Sequence, residues 1–334
     1  MKAALQQATH QPVQIVDVDT PHPGPGQALV RIQAAALNHR DVWVQQGLYP
    51  GMKLPCILGS DGAGVVTDVG EGVRTSLVGR HVIVNPALGW GDNPKAYGKN
   101  FRVLGMPDHG TFAEYLVIEA KYLHPKPAHL DFAEAAALPL GGVTAWRALF
   151  SRGKLRSGER VLISGIGGGV ALLALQLAHA AGAAVWVTSG SDEKIERAKA
   201  MGAMGGANYK NARWGRELAG QTGGFDLILD SAAGEGFAEL IDAAAPGGRI
   251  VVYGGTRGTI PNLAPPKVFF KHLDILGSTM GTEADFADMV EFVERQQIRP
   301  VLDRSFSLDE AEAALRYMEA GAQFGKIGLS VGGC

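Results

Sequence analysis

The stretch from Arg160 to Gly190 constrains this chain more than any other, because it reads strand, glycine turn, helix, strand. Arg160-Val-Leu-Ile-Ser164 is a short apolar run, Gly165-Ile-Gly-Gly-Gly169 is a turn no bulky sequence could follow, and Val170 to Ala181 is a helix ended by Gly182. Ala183 to Thr188 supplies the next strand. A strand feeding a glycine turn at a helix N-terminus points backbone N–H groups and the helix dipole at an anion, usually a dinucleotide pyrophosphate. The G-x-G-x-x-G frame itself is broken, at Val170 when started from Gly165 and at Leu172 when started from Gly167. The best register puts Gly168 at the close-approach position, Ala171 where the helix packs on the strand, and Ile166 in place of the first glycine. The flanking elements therefore carry the reading; the alternative is a βα turn with no ligand.

The rest of the chain follows two patterns. Up to about residue 125 short apolar or alternating runs (Val13 to Val18, Gln27 to Ala34, Gly64 to Val69, Arg80 to Val84, Glu114 to Ile118) are separated by Pro and Gly turns. From Asp131 helices alternate with strand candidates at Ala207 to Tyr209, Leu227 to Asp230, Arg249 to Tyr253 and Asp274 to Gly277. Helices are expected near Asp192 to Met201, Ala212 to Thr222 and Gly236 to Ala245, the spacing of a doubly wound parallel sheet. Boxes at Thr282-Glu-Ala-Asp285 and Ser307-Leu-Asp-Glu310 then start amphipathic helices, and Lys326 to Val331 is a last strand able to rejoin the N-terminal sheet. The expected fold is α/β, a Rossmann domain over 126–282 inserted in a β-rich domain made of 1–125 and 283–334.

At 334 residues there is room for two cores. The formal net charge of -2, without a basic run, argues against nucleic acid or an anionic membrane as partner. Met1 to Gln7 has no signal-peptide core, and Val170 to Val187, apolar apart from Gln176 and His179, is split by Gly182 and too short on either side to span a bilayer. Cys56 and Cys334 are the only cysteines, which is no disulfide framework and fits a reducing cytoplasm.

The runs Ala36-Leu-Asn-His-Arg-Asp41, Leu58-Gly-Ser-Asp-Gly-Ala-Gly-Val-Val66, Gly110-Thr-Phe-Ala-Glu-Tyr115, Ala135 to Trp146 and Gly247-Gly-Arg-Ile-Val-Val252 make the chain resemble the medium-chain dehydrogenases/reductases. That resemblance implies a GroES-like catalytic domain built from both chain ends around a nucleotide-binding domain. It covers Met1 to Val331. Zinc members of the family hold a catalytic ion with Cys, His and a further Cys or carboxylate, whereas the corresponding places here carry Asn38, Ser60 and Leu140. The segment Pro86 to Gly105, where the family's structural zinc lobe would fall, has no Cys. His39, His81 and His109 remain as conceivable ligands, but no metal is expected. The chain looks most like the zinc-independent quinone oxidoreductase branch, whose members transfer hydride from NADPH to a quinone, an activated double bond or a carbonyl. A zinc-type alcohol dehydrogenase using NAD(P) and an NADPH-binding protein with little turnover are the alternatives.

An NAD enzyme of this topology normally ends its second nucleotide-domain strand with an acid for the ribose diol; here that strand ends Thr188-Ser-Gly-Ser191, and Asp192 is expected to cap the following helix. NADPH is therefore the expected cofactor. Gly167, Gly168, Gly169 and Val170 are assigned to its pyrophosphate, and Ser189, Lys194 and, by resemblance, Tyr209 to its 2′-phosphate; a solvated helix lysine is the alternative for Lys194. Resemblance places Thr144 near the nicotinamide, although it is equally read as a helix hydroxyl. Ser231 and Gly254 lie at carboxyl ends of parallel strands, where such sheets bind ligands, and Arg257 and Lys326 are candidates to complement cofactor phosphates.

Zinc-free hydride transfer needs a polarising donor and a proton source. Asn38, standing where relatives have a zinc-ligand Cys, is the first candidate for orienting nicotinamide or substrate. Asp41 is expected to hold the loop or ribose, and Tyr49 to donate a proton, with His39 and Trp43 lining the pocket; each has a purely structural alternative. Asp61 is expected to bind His39 or Arg40, or to hold a turn. Pro86 to Asp108 is the candidate substrate-facing loop or, alternatively, a subunit contact. A small-molecule substrate and a homodimer or homotetramer complete the expectation.

Overall fold

A computed structural model describes residues 1–261 and 263–332. Two compact units divide the chain, one made of Met1–Gly141 and Thr282–Cys334, the other of Gly142–Gly281. Cys334 lies outside the described residues.

The spine of the first unit is the strand Gln27–Ala36, in which Ala28, Leu29, Val30, Ile32 and Ala34 to Ala36 are buried and only Arg31 is exposed. Burial on both faces follows from its central place. It pairs antiparallel with Asp61–Val69, with Tyr115–Glu119 and with Lys326–Ser330, so the last strand does rejoin the N-terminal sheet. The seven-stranded sheet also holds Leu123–Pro125, His81–Val84 and Leu302–Ser307. Close pairing depends on Gly64 opposite Ile32, since a Cβ there would lie 2.2 Å from the Arg31 carbonyl oxygen.

Several elements of this unit are absent from the sequence reading. Lys2–Gln6 is a strand between Gln14–Asp17 and Cys56–Ile57, although Lys-Ala-Ala-Leu-Gln has no β-branched residue to mark it. Leu302–Ser307 pairs in parallel with Lys326–Ser330; its Asp, Arg and Ser residues suit the sheet edge it occupies. The segment 126–141, assigned from sequence to the nucleotide domain, belongs to the first unit because its helix Phe132–Ala136 packs on Gln27–Ala36 and Asp61–Val69.

The second unit is a six-stranded parallel sheet in the order Gly205–Asn208, Ala184–Ser189, Arg160–Ile163, Phe225–Asp230, Ala244–Val252, Asp274–Gly277. This is the doubly wound Rossmann order, with the strand order reversing beside Arg160–Ile163. Leu162, Ile228 and Ile250 on neighbouring strands are fully buried, which is why these strands read as continuous apolar runs. The helix Gly169–Ala180 buries seven residues from Ala171 to Ala178 and ends at Ala181, before Gly182 in the left-handed region. No helix among the described residues is long and apolar enough to cross a membrane.

Gly64→Ala should destabilise the protein by about 2–3 kcal/mol, because the strands must separate locally to admit the methyl group. Urea unfolding measures this, and a change within error would show that the bulged pairing absorbs a Cβ.

Candidate functional site

In the second unit the turn after Arg160–Ile163 is held by groups from the two adjacent strands. The Ser164 hydroxyl donates to Asp230 Oδ1 at 2.6 Å, Gly165 N–H donates to Thr188 Oγ1 at 3.2 Å, and Ile166 N–H donates to the Thr188 carbonyl at 2.7 Å. Gly165 and Gly167 adopt φ of 67° and 123°, a region that strains residues with a Cβ and favours glycine. Gly168 caps the helix, is exposed, and has nothing within 4 Å of the place a Cβ would occupy. The turn therefore offers an open face lined by the first N–H groups of a twelve-residue helix.

The sequence reading gives Asp230 and Thr188 no role beyond their strands, yet they build this turn. Asp230 is 1% exposed, and its carboxylate also accepts from the Ala232 and Ala233 N–H groups at 3.2 and 2.8 Å. The available signal was an acid closing an otherwise apolar strand, Phe225–Asp230, which must find donors once buried. Ser231 follows it; its Oγ would lie 3.8 Å from a Cβ on Gly165, and its carbonyl oxygen 2.8 Å from a Cβ on Gly254. Thr144 is nearly buried inside the helix Pro139–Trp146, with Oγ1 3.9 Å from Met280 Sδ.

At the end of Ala184–Ser189 the expected residues come together. A Cβ on Gly167 would lie 3.0 Å from Lys194 Cδ and 3.4 Å from its Nζ, so this side chain crosses the glycine turn. A Cβ on Gly190 would lie 2.7 Å from the Tyr209 hydroxyl, which places the phenol beside the same strand end. Ser189 is buried and its Oγ accepts from Ser191 N–H at 3.2 Å. The expectation that Asp192 caps the next helix is corrected: Ser191 is the cap and accepts from Lys194 N–H, while Asp192 accepts from Asn208 Nδ2 at 2.9 Å.

The first unit contains a buried ionic cluster. Lys326, 4% exposed, donates from Nζ to the Leu37 carbonyl at 2.7 Å, to Asn38 Oδ1 at 2.8 Å and to Asp61 Oδ2 at 2.7 Å. Asn38 Nδ2 donates to the same Asp61 oxygen at 2.9 Å, and Leu140 N–H donates to Asp61 Oδ1 at 2.7 Å. The assignment of Lys326 to a cofactor phosphate is thereby corrected, since all three ammonium hydrogens are engaged inside the unit. Asp61 likewise binds neither His39 nor Arg40.

Arg40 instead donates to Ser60 Oγ at 2.6 Å and to the carbonyls of Leu104 and Met106 at 2.7 and 3.2 Å, with its guanidinium 4.5 Å from the Tyr49 ring centroid. Tyr49 is half-buried; His39 is exposed and meets Trp43 edge to face. Asp41 is fully buried at the start of His39–Gln45, where Oδ2 accepts from Asn38 N–H at 2.8 Å and Oδ1 has no partner. Burial pushes its carboxyl up to about 6, against the opposing pull of the neighbouring Arg40 charge. Pro86 to Asp108 forms a lobe with its own short pairing, Ala87–Leu88 with Arg102–Val103. Trp90, Tyr97 and Phe101 cluster there, and Arg102 pairs with Asp108.

These donors do not fit zinc. Asn38 and Ser60 offer a neutral amide and a hydroxyl already in use, Leu140 offers no side-chain donor, and the Lys326 ammonium adds a positive charge beside them. Burial pushes the Cys56 thiol up to about 12, so it is no thiolate at neutral pH. Among the described residues no three His, Cys, Asp or Glu are grouped to hold a metal.

A doubly wound nucleotide-type domain set within a GroES-like β domain defines the class of two-domain oxidoreductases. Family models agree: that of the alcohol dehydrogenase GroES-like domain matches residues 24–128, and that of the zinc-binding dehydrogenase matches 169–295. A zinc-type alcohol dehydrogenase-like protein, YogA of Leptosphaeria maculans, is 35% identical over 99% of this chain and 98% of its own length. A quinone oxidoreductase of Rattus norvegicus is 30% identical over 89% of this chain and 87% of its own. The crystal structure of an NAD-dependent alcohol dehydrogenase superposes with a TM-score of 0.94 at 39% identity, covering 99% of this chain and 100% of that one. The chain belongs to the medium-chain dehydrogenase/reductase superfamily.

Asp41 makes stability depend on pH in a defined sense. Its folded-state value lies above the ordinary carboxyl value, so the folded protein holds this proton more tightly, and stability falls as pH rises from about 4 to about 6. Asp41→Asn removes that contribution; unfolding free energies at pH 4 and 7 should shift the variant relative to wild type by about 2 kcal/mol in its favour at the higher pH. Parallel curves would show that Asp41 titrates normally.

Proposed function

We propose that this chain is a zinc-independent, NADPH-dependent oxidoreductase that reduces a quinone, an α,β-unsaturated carbonyl or an aldehyde. The observation that carries the cofactor reading is the end of Ala184–Ser189. Ser189 and Gly190 stand where an acid would bind a ribose diol, Lys194 and Tyr209 flank them, and Asp192 is turned to Asn208. A 2′-phosphate meets an ammonium and a phenol there. The unsuitable zinc donors and the quinone oxidoreductase among the relatives support the zinc-free reading and the substrate class. The NAD-dependent structural relative favours the other cofactor, and the titration below decides between them.

Bound NADPH supplies the hydride, and reduction is completed by one proton. Gly167, Gly168, Gly169 and Val170 hold the pyrophosphate on backbone N–H groups, Lys194, Ser189 and Tyr209 take the 2′-phosphate, and Ser231 and Gly254 shape the floor at the strand ends. Thr144 orients the nicotinamide carboxamide. Asn38 donates to the oxygen on which charge develops, Asp41 fixes the loop that carries Asn38, and Tyr49 is the proton donor.

NADPH should bind metal-free protein at least about 10-fold more tightly than NADH, and Lys194→Ala should weaken NADPH by about 10- to 100-fold while changing NADH little. Fluorescence titration measures both. Equal losses would remove Lys194 from phosphate recognition, a preference for NADH would overturn the cofactor assignment, and stoichiometric zinc in purified protein would restore the alcohol dehydrogenase reading.

A further inference from the structure

The buried cluster of the first unit leaves one group uncommitted. Lys326 spends three hydrogens on Leu37, Asn38 and Asp61, and Asp61 spends one oxygen on Leu140 N–H and the other on Lys326 and Asn38. The Asn38 amide places its oxygen on the ammonium and one N–H on the carboxylate, which leaves its second N–H. An asparagine before a helix would ordinarily turn its side chain onto the helix N–H groups. Asn38 does face Asp41 N–H in a capping box, with the Asp41 carboxylate taking the Asn38 backbone N–H, but the hydrogen bonds of its side chain go to Lys326 and Asp61. Asn38 is 8% exposed, whereas Asp61 is 0% and Lys326 4%, so Asn38 is the least buried residue of the trio.

An amide is a two-faced group. With a neutral partner in place of the ammonium it could turn over and present its oxygen, which would repel a carbonyl oxygen acquiring negative charge. We propose that Lys326 is a positioning residue, fixing the Asn38 amide so that its uncommitted N–H is presented to the carbonyl oxygen of the substrate. The proposal rests on the carbonyl- or enone-reducing function proposed above. A buried ammonium thus supplies fixed positive charge behind the donor, and the substrate meets a neutral N–H.

Lys326→Met leaves Asp61 buried and unpaired, so the decisive variant is the neutral pair Lys326→Met/Asp61→Asn, which keeps an acceptor for Leu140 N–H and removes both charges. In this pair Asn38 is free to offer its oxygen to the new amide. Turnover of whichever quinone, enone or aldehyde wild type reduces should fall by about 100-fold, the loss expected for one oxyanion donor, with the NADPH Kd within about 2-fold of wild type. Adding Asn38→Ala should cost nothing further. Selective 15N labelling of the asparagines, seven in wild type and eight in the neutral pair, with Asn38→Ala as assignment in both backgrounds, should show the Asn38 amide pair displaced in the neutral variant.

Retained turnover in the folded neutral pair overturns the proposal, as do losses that multiply on adding Asn38→Ala. Should wild type bind NADPH and reduce nothing in the screen, the functional reading fails by itself and the spectrum decides for Lys326. A displaced Asn38 amide then upholds the positioning role, and an unchanged one overturns it.

Discussion

The contact between Lys326 and Asp61 ties together parts of the first unit that are far apart in sequence. An ammonium and a carboxylate withdrawn from water are each costly, and their attraction compensates only when the remaining hydrogen-bonding capacity is used. Here it is: Leu37, Asn38 and Leu140 complete the donors and acceptors around the pair. Lys326 opens a strand whose Gly328, Leu329 and Ser330 pair with Ala36, Ala35 and Ala34, and Asp61 opens a strand on the opposite side of that same central strand. The pair therefore bridges across the end of Gln27–Ala36, directly before Asn38.

The parallel-sheet unit was legible in the sequence because its signals are local. Arg160 to Ser189 contains strand, turn, helix and strand in order, and the groups that close the turn, Thr188 and Ser164, lie inside the same stretch. Lys194 is placed by its position after the strand end and Tyr209 only by family resemblance, and the structure brings them beside Gly167 and Gly190. Asp230 was overlooked because it closes an apolar strand and carries no motif.

The first unit was less legible for the opposite reason. Nothing near Lys326 in sequence shows that it will meet Asn38 and Asp61, and a lone lysine at the start of a strand suggests solvent or a phosphate. Only the requirement that every buried charge find a partner links Lys326-Ile-Gly-Leu with the acid in Gly59-Ser-Asp-Gly, and that rule names no partner. Lys2–Gln6 escaped notice because its pairing, not its composition, makes it a strand. The lobe from Pro86 to Asp108 showed glycine, proline and scattered aromatics; its order comes from Tyr97 stacked on Phe101, with Trp90 edge-on to both.

The return of Lys326–Ser330 to a sheet begun by the N-terminal strands also sets an order of events during synthesis. Gly142–Gly281 is continuous, so every strand of its sheet has left the ribosome before the closing strand of the other unit has been translated. The nascent chain can then complete the inserted unit while Gln27–Ala36 still exposes the edge that Gly328 to Ser330 will cover. Asp61 spends that interval without its counter-ion. Protection of this open edge against pairing with another chain is thus a requirement on the growing polypeptide, one the finished molecule no longer displays.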